Sequence, residues 1–178
     1  MYVHFAPPFS RLPCAARQLR VDANTSVKTN FQDAARKIAD ECTCMRVRQT
    51  SRTLSRIYDE NLRRAGLQIS QLTALVAVAR FGEAGAGMGK MAQVLGMDRT
   101  TLTRNLLPLE KAGLLRVARD PADARARIVL LTKPGQRAIE KAFPLWEKSQ
   151  KRVRDLVGVR QARDLHHRLA RLLAVVRT

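Results

Sequence analysis

The sequence predicts a mainly α-helical chain carrying one small β-hairpin. Three observations predict it. Apolar residues recur at three- and four-residue spacings along most of the 178 residues. Glycines and capping residues fall at the ends of those stretches. Two short β-prone runs, Leu114–Ala118 and Ile128–Leu131, flank the turn-rich RDPADARAR.

Residues 1–33 mix Pro, Ser, Asn and Thr without periodicity and are expected to form a flexible N-terminal arm. From 34 to 64 the pattern turns helical. Ile38, Cys42, Met45, Leu54, Ile57, Tyr58 and Leu62 mark the apolar stripe, with a gap around Gln49 and a stop at Gly66. Ser70 is placed to cap a second helix, Gln71–Phe81. The stretch GEAGAGMG at 82–89 lacks the spacing of a phosphate loop, because no glycine stands five residues before Gly89 and no Ser or Thr follows Lys90. It reads as a flexible connector.

Met88, Met91, Ala92 and Leu95 give a short amphipathic helix ended by Gly96. Asp98 then caps a helix running to about Lys111. Its Leu102, Leu106 and Leu109 face inward, and its Arg99, Thr100, Thr103 and Arg104 face outward. Pro108 sits in its last turn. In the hairpin, Asp120–Pro121–Ala122–Asp123 suits a tight turn. Thr132 caps a long helix to Val157 with Pro144 inside it, and Gly158 ends it. A final helix carries Ala162, Leu165, Leu169, Leu172, Leu173 and Val176 on one stripe.

Charge narrows the partner. The chain has 33 Lys+Arg against 15 Asp+Glu, a net +18 that calls for an anion. The largest share lies in residues 132–178, with 12 basic and 4 acidic groups. Only eight aromatics are present, and Tyr2, Phe5, Phe9 and Phe31 lie in the arm or at its edge, so stacking platforms for single strands are scarce. No apolar run suits a bilayer span, and Pro7, Pro8, Arg11 and Pro13 interrupt any signal-peptide core. A cytoplasmic protein without membrane contact is expected. Three cysteines and three histidines argue against a disulfide framework and against a metal site. No catalytic constellation is visible, so neither enzyme activity nor a cofactor is expected.

The order helix, short helix, helix, basic hairpin over about 70–131 is a helix-turn-helix followed by a wing. The first turn of a recognition helix meets base edges in the major groove. Arg99, Thr100, Thr101, Thr103 and Arg104 are the candidates for that role. Arg119, Arg125 and Arg127 at the hairpin are placed for phosphates or a narrow minor groove. Two readings follow: a sequence-specific regulator of double-stranded DNA, or a basic, non-specific nucleoid- or ribosome-associated protein. The specificity ratio separates them.

Three stretches resemble the MarR family of winged helix-turn-helix regulators. They are GLQISQLTAL at 66–75, MAQVLGMDRTTLTRNLLPLEKAGLL at 91–115 and RDPADARARIVLLTKPG at 119–135. The resemblance covers roughly 38–178. It implies a homodimer on a pseudo-palindromic operator, a repressor released by a small aromatic or anionic effector or by an oxidant. It implies dimerisation through helices at about 34–64 and 132–177. It also implies that Asp123 fixes the wing and that Arg125 enters the minor groove; Ala124 stands where many members have a further arginine. The first long helix resembles the peroxide-sensing branch through Cys44, Ser51-Arg52, Tyr58 and Gly66-Leu67. That likeness makes Cys44 the candidate oxidised residue and Tyr58 its hydrogen-bonding partner, although a second tyrosine of that branch is replaced around Ile69. As a small-molecule alternative, Arg48, Arg52, Tyr58 and Phe81 are placed to line an effector cleft.

Overall fold

The computed structural model describes residues 30–176 except Ala122 and Ala124, so most of the arm and the middle of the wing tip lie outside the described residues. The chain divides into two units, Met1–Cys42 and Thr43–Thr178. In the first, helix α1 spans Phe31–Glu41 and is capped by Asn30, whose side chain accepts the Gln32 amide.

The second unit opens with α2, Thr43–Leu62, which passes through a 3-10 turn at Arg63–Ala65 into Gly66 at φ 74°. The single helix expected over 34–64 is therefore broken, at Cys42. Cys42 takes an extended ψ of 102°, while α2 runs unbroken through Gln49. The apolar spacing is continuous across the break, so periodicity alone does not reveal it. Cys42 and Cys44 consequently do not share one helix.

Helix α3 spans Ile69–Ala79 and starts two residues before the expected Gln71. Its cap is Gln68, in a reciprocal box with Gln71; the Ile69 amide donates to Asp59 Oδ1 at 2.6 Å. Ser70 lies inside the helix. The buried face holds Leu72, Ala74, Leu75, Ala77 and Val78, whereas Val76 is exposed. Residues 82–89 form more than a connector: a 3-10 turn, Gly82–Ala84, leads into β1, Ala86–Gly87, and Ala86 is buried. Gly85 needs its φ of 72°, and a Cβ there would collide with the Val129 carbonyl.

Helices α4, Met88–Leu95, and α5, Arg99–Lys111, are joined through Gly96 at φ 63°. Strands β2, Leu115–Arg119, and β3, Arg127–Leu131, pair antiparallel, and β1 adds to the far edge of β3 in the order β1-β3-β2. Helices α6, Lys133–Val157, and α7, Val159–Val176, complete the chain, and Pro144 lies within α6. The core gathers Leu62, Leu75, Val78, Met91, Leu102, Leu106, Leu109, Leu115 and Val129, all at or near full burial. That core fixes α3, α4, α5 and the sheet as one body, so α5 and the wing are held against each other by packing rather than by the chain alone. Among the described residues, no helix is long and apolar enough to cross a membrane, and no group of three or more His, Cys, Asp and Glu could hold a metal ion.

Candidate nucleic-acid interface

The start of α5 is built by Asp98. Its Oδ1 accepts the Thr101 amide at 2.8 Å and its Oδ2 accepts the Thr101 hydroxyl at 2.7 Å. These bonds, the hydroxyl first, hold the Asp98 carboxyl below the ordinary aspartate range. Thr101 is therefore part of the cap, with its hydroxyl already engaged. Thr103 is also committed, since its hydroxyl donates to the Arg99 carbonyl at 2.8 Å. Thr100 and Arg104, four residues apart, remain on the exposed side. Arg99 and Thr103 turn toward the hairpin, where both line a cavity with Arg125 and Arg127.

The wing is set by backbone bonds and by Asp123. The Asp120 amide donates to the Ala126 carbonyl at 3.1 Å, and the Ala126 amide to the Asp123 carbonyl at 2.9 Å. Asp123 Oδ1 accepts the Arg125 amide at 2.9 Å. Arg119 stands directly opposite Arg127 in the ladder. Arg119, Arg125 and Arg127 are all exposed. Of the expected turn, Ala122 lies outside the described residues, as does Ala124.

The residues expected to sense an effector are scattered. Tyr58 lines an apolar cavity of about 470 Å³ between α2 and α7, walled by Val47, Leu54, Ile69, Leu165 and Leu169 with Arg46, Thr50, Ser51 and Ser55. Arg48 and Arg52 are exposed and do not line it, because the cavity follows positions 47, 50, 51, 54, 55 and 58 and theirs fall on another face. Phe81 packs against the core beyond the end of α3. Cys44 is exposed in the first turn of α2. Fourteen residues separate it from Tyr58, about 21 Å along one helix, so a protomer does not bring the two together.

Sequence reasoning missed the seam that holds Tyr58. Its hydroxyl donates to Gln150 Oε1, Asn61 donates to the buried Ser149 at 2.9 Å, and Arg152 pairs with Glu60 at 2.5 Å. Burial, partly offset by Arg154, raises the Tyr58 pKa and keeps the phenol a donor. The seam joins α2 to α6 across about 90 residues of sequence, and only the i, i+3 spacing of Ser149 and Arg152 hinted at a shared face.

A helix-turn-helix whose third helix and wing present basic side chains on one edge defines a winged-helix DNA-binding fold. Comparison with known proteins gives the family. Residues 65–126 match the MarR family model. Among solved structures, the transcriptional regulator MosR of M. tuberculosis in complex with DNA is 35% identical, with 76% of this chain and 96% of that one covered and a TM-score of 0.67. A mutant MarR from E. coli complexed with operator DNA is 20% identical over 77% and 97%, with a TM-score of 0.68. CouR from Rhodococcus jostii bound to p-coumaroyl-CoA is 18% identical over 75% and 93%, with a TM-score of 0.62. None of the curated proteins matches the chain. The chain belongs to the MarR family of DNA-binding transcriptional regulators.

Proposed function

We propose that this chain is a homodimeric regulator that binds a pseudo-palindromic operator in duplex DNA and represses transcription until a small molecule releases it. The observation that carries the DNA reading is the exposed face of α5. Thr100 and Arg104 stand free at the start of a helix whose other hydroxyls are engaged, and the arginine-bearing wing lies beside it. Arg can bond guanine bidentately, and a Thr methyl can meet thymine. Arg125, held at its amide by Asp123, reaches the adjacent minor groove.

Dimerisation is supported by α7. Leu165, Leu169, Leu172 and Leu173 repeat at helical spacing and stay exposed in the protomer. A second copy would cover such a stripe and set two recognition helices about one DNA turn apart. Repeated selection of bound duplexes from a random pool tests the whole reading. A two-fold symmetric consensus, bound at least about 10³-fold more tightly than random duplex at the same salt, is expected. Equal affinity for all duplexes refutes it and leaves a non-specific basic protein.

For release, the cavity at Tyr58 supports a ligand with an apolar body and one hydrogen-bonding group. Oxidation at Cys44 is the second route, supported by that residue's exposure. Peroxide should then free DNA from wild type and not from Cys44→Ser; equal release from both removes it.

A further inference from the structure

Between α5 and the wing lies a cavity of about 320 Å³ lined by Arg99, Arg125 and Arg127, with Thr103 and the backbone of Gly87 and Gly89. Among the described residues, no carboxylate lines it. None of the ion pairs among the described residues involves these three arginines. A fourth cation, Arg119, faces Arg127 across the strands, where like charges destabilise the ladder unless an anion intervenes. The Arg99 guanidinium is turned back over α4: a Cβ on Gly89 would stand 3.6 Å from its Nη2. Arg99 therefore points into the cleft, away from the exposed face that carries Thr100 and Arg104.

We propose that this cleft holds a phosphate of the DNA backbone, gripped by Arg99 and Arg127, and that Arg99 sets the register of α5 without reading a base. The inference rests on the DNA-binding reading above. If α5 enters a major groove and the wing tip the neighbouring minor groove, the strand separating those grooves must cross the gap between them. The arginine cleft is that gap. A phosphodiester there neutralises guanidinium groups that form no ion pair among the described residues, and both oxygens of the group can be met by a planar fork. A free phosphate has the same chemistry, so the test separates the two sources.

Affinity of wild type, Arg99→Gln and Arg99→Lys is measured across a salt series on two probes: a duplex selected by wild type and a scrambled duplex of the same length. Arg99→Gln should weaken both probes by the same factor, about fivefold at roughly 0.15 M salt, and reduce the salt slope by about one. Arg99→Lys, which keeps a point charge, should retain the slope. Base preference in a fresh selection should match wild type for both variants. Loss confined to the selected duplex, or relaxed preference at one base pair, makes Arg99 a base reader and overturns the proposal. An unchanged slope in Arg99→Gln overturns it as well. Inorganic phosphate should displace DNA no better than chloride at equal ionic strength. Selective release by phosphate from wild type and not from Arg99→Gln assigns the cleft to free phosphate and overturns the DNA assignment. Should wild type bind both probes equally, sequence-specific regulation fails, while the slope comparison still decides the phosphate site.

Discussion

Replacing Gly135 with alanine tests whether the wing root is locked to α6. Gly135 is buried in the first turn of α6, and its amide donates to the Thr132 hydroxyl at 3.1 Å. An added Cβ would overlap the Leu114 carbonyl oxygen and crowd Leu131. A side chain can rotate away from such a contact, but a backbone carbonyl cannot, so α6 must shift against the strand that begins at Leu115. The shift strains two bonds that tie the same turn down, Thr132 N to Leu114 O at 3.3 Å and Thr132 Oγ1 to Gly113 O at 2.7 Å.

Overpacking costs about 1–3 kcal/mol. Each weakened hydrogen bond costs roughly 0.5–1.5 kcal/mol more. The helix preference of alanine returns up to about 1 kcal/mol. A net loss of about 2–4 kcal/mol lowers the melting temperature by roughly 5–15 °C for a chain of this size. Gly89→Ala is the matched control. It lies within α4, and an added methyl meets only the end of a flexible arginine, so it should leave stability unchanged or raise it by up to about 1 kcal/mol. Both variants are melted by far-ultraviolet circular dichroism at one protein concentration, since association shifts melting by mass action. A Gly135→Ala protein melting at or above wild type refutes the reasoning.

Three further outcomes are expected. Arg125→Ala should weaken binding to a selected duplex by about 1–3 kcal/mol in a gel-shift titration, and unchanged affinity removes its minor-groove role. Leu172→Glu combined with Leu173→Glu should give a monomer by light scattering with the helix content kept; a mass equal to wild type shows that α7 does not join two copies. The folded-state pKa of Asp98 lies below its unfolded value, so its cap supports α5 above the ordinary aspartate range and is lost as pH falls through the lowered value. A carbon-detected NMR titration should place the Asp98 midpoint below those of aspartates in the unfolded chain, and a midpoint at or above them discards the cap as the cause.

Most of the fold was legible because its signals are local. Asp98, Gly96, Thr132 and Gly158 mark helix ends by side-chain capping or positive φ, and all four stand where the sequence placed them. The misses have long-range causes. Strand β1 is two residues long and exists only through pairing of Ala86 with Val129 and Gly87 with Ile128, which no local pattern encodes. Gln68 displaced Ser70 as the cap because Asp59, ten residues upstream, binds the Ile69 amide. On the interface, composition identified which side chains are basic and exposed. It did not show how α5 divides them, because that depends on Thr101 and Thr103 turning their hydroxyls to the backbone and to Asp98. The cavity at Tyr58 was the least legible, since its wall joins positions on α2 to Leu165 and Leu169 of α7, a hundred residues away.

The distribution of charge constrains how the two proposed contacts coexist. Residues 69–131 carry 9 basic and 5 acidic groups, while residues 132–178 carry 12 and 4, so the strongest positive excess flanks the proposed dimer helices and not the DNA face. Two such flanks repel when copies meet. Exposed charges are screened over about 8 Å at physiological salt, whereas burying a leucine side chain contributes roughly 1.5–3 kcal/mol with no such loss. Leu165, Leu169, Leu172 and Leu173 stay 39–55% exposed in the protomer, so each copy has part of that gain left to set against a screened repulsion. Salt therefore acts in opposite directions on the two contacts. It would relieve repulsion between the α7 flanks of the proposed dimer, and it would weaken every proposed arginine–phosphate contact at α5 and the wing. DNA affinity should fall with salt while the dimer persists, so the salt slope of binding counts phosphate contacts and not dissociation of the pair. If light scattering instead shows the dimer separating as salt rises, ion pairs rather than leucines hold it, and α7 is not the contact.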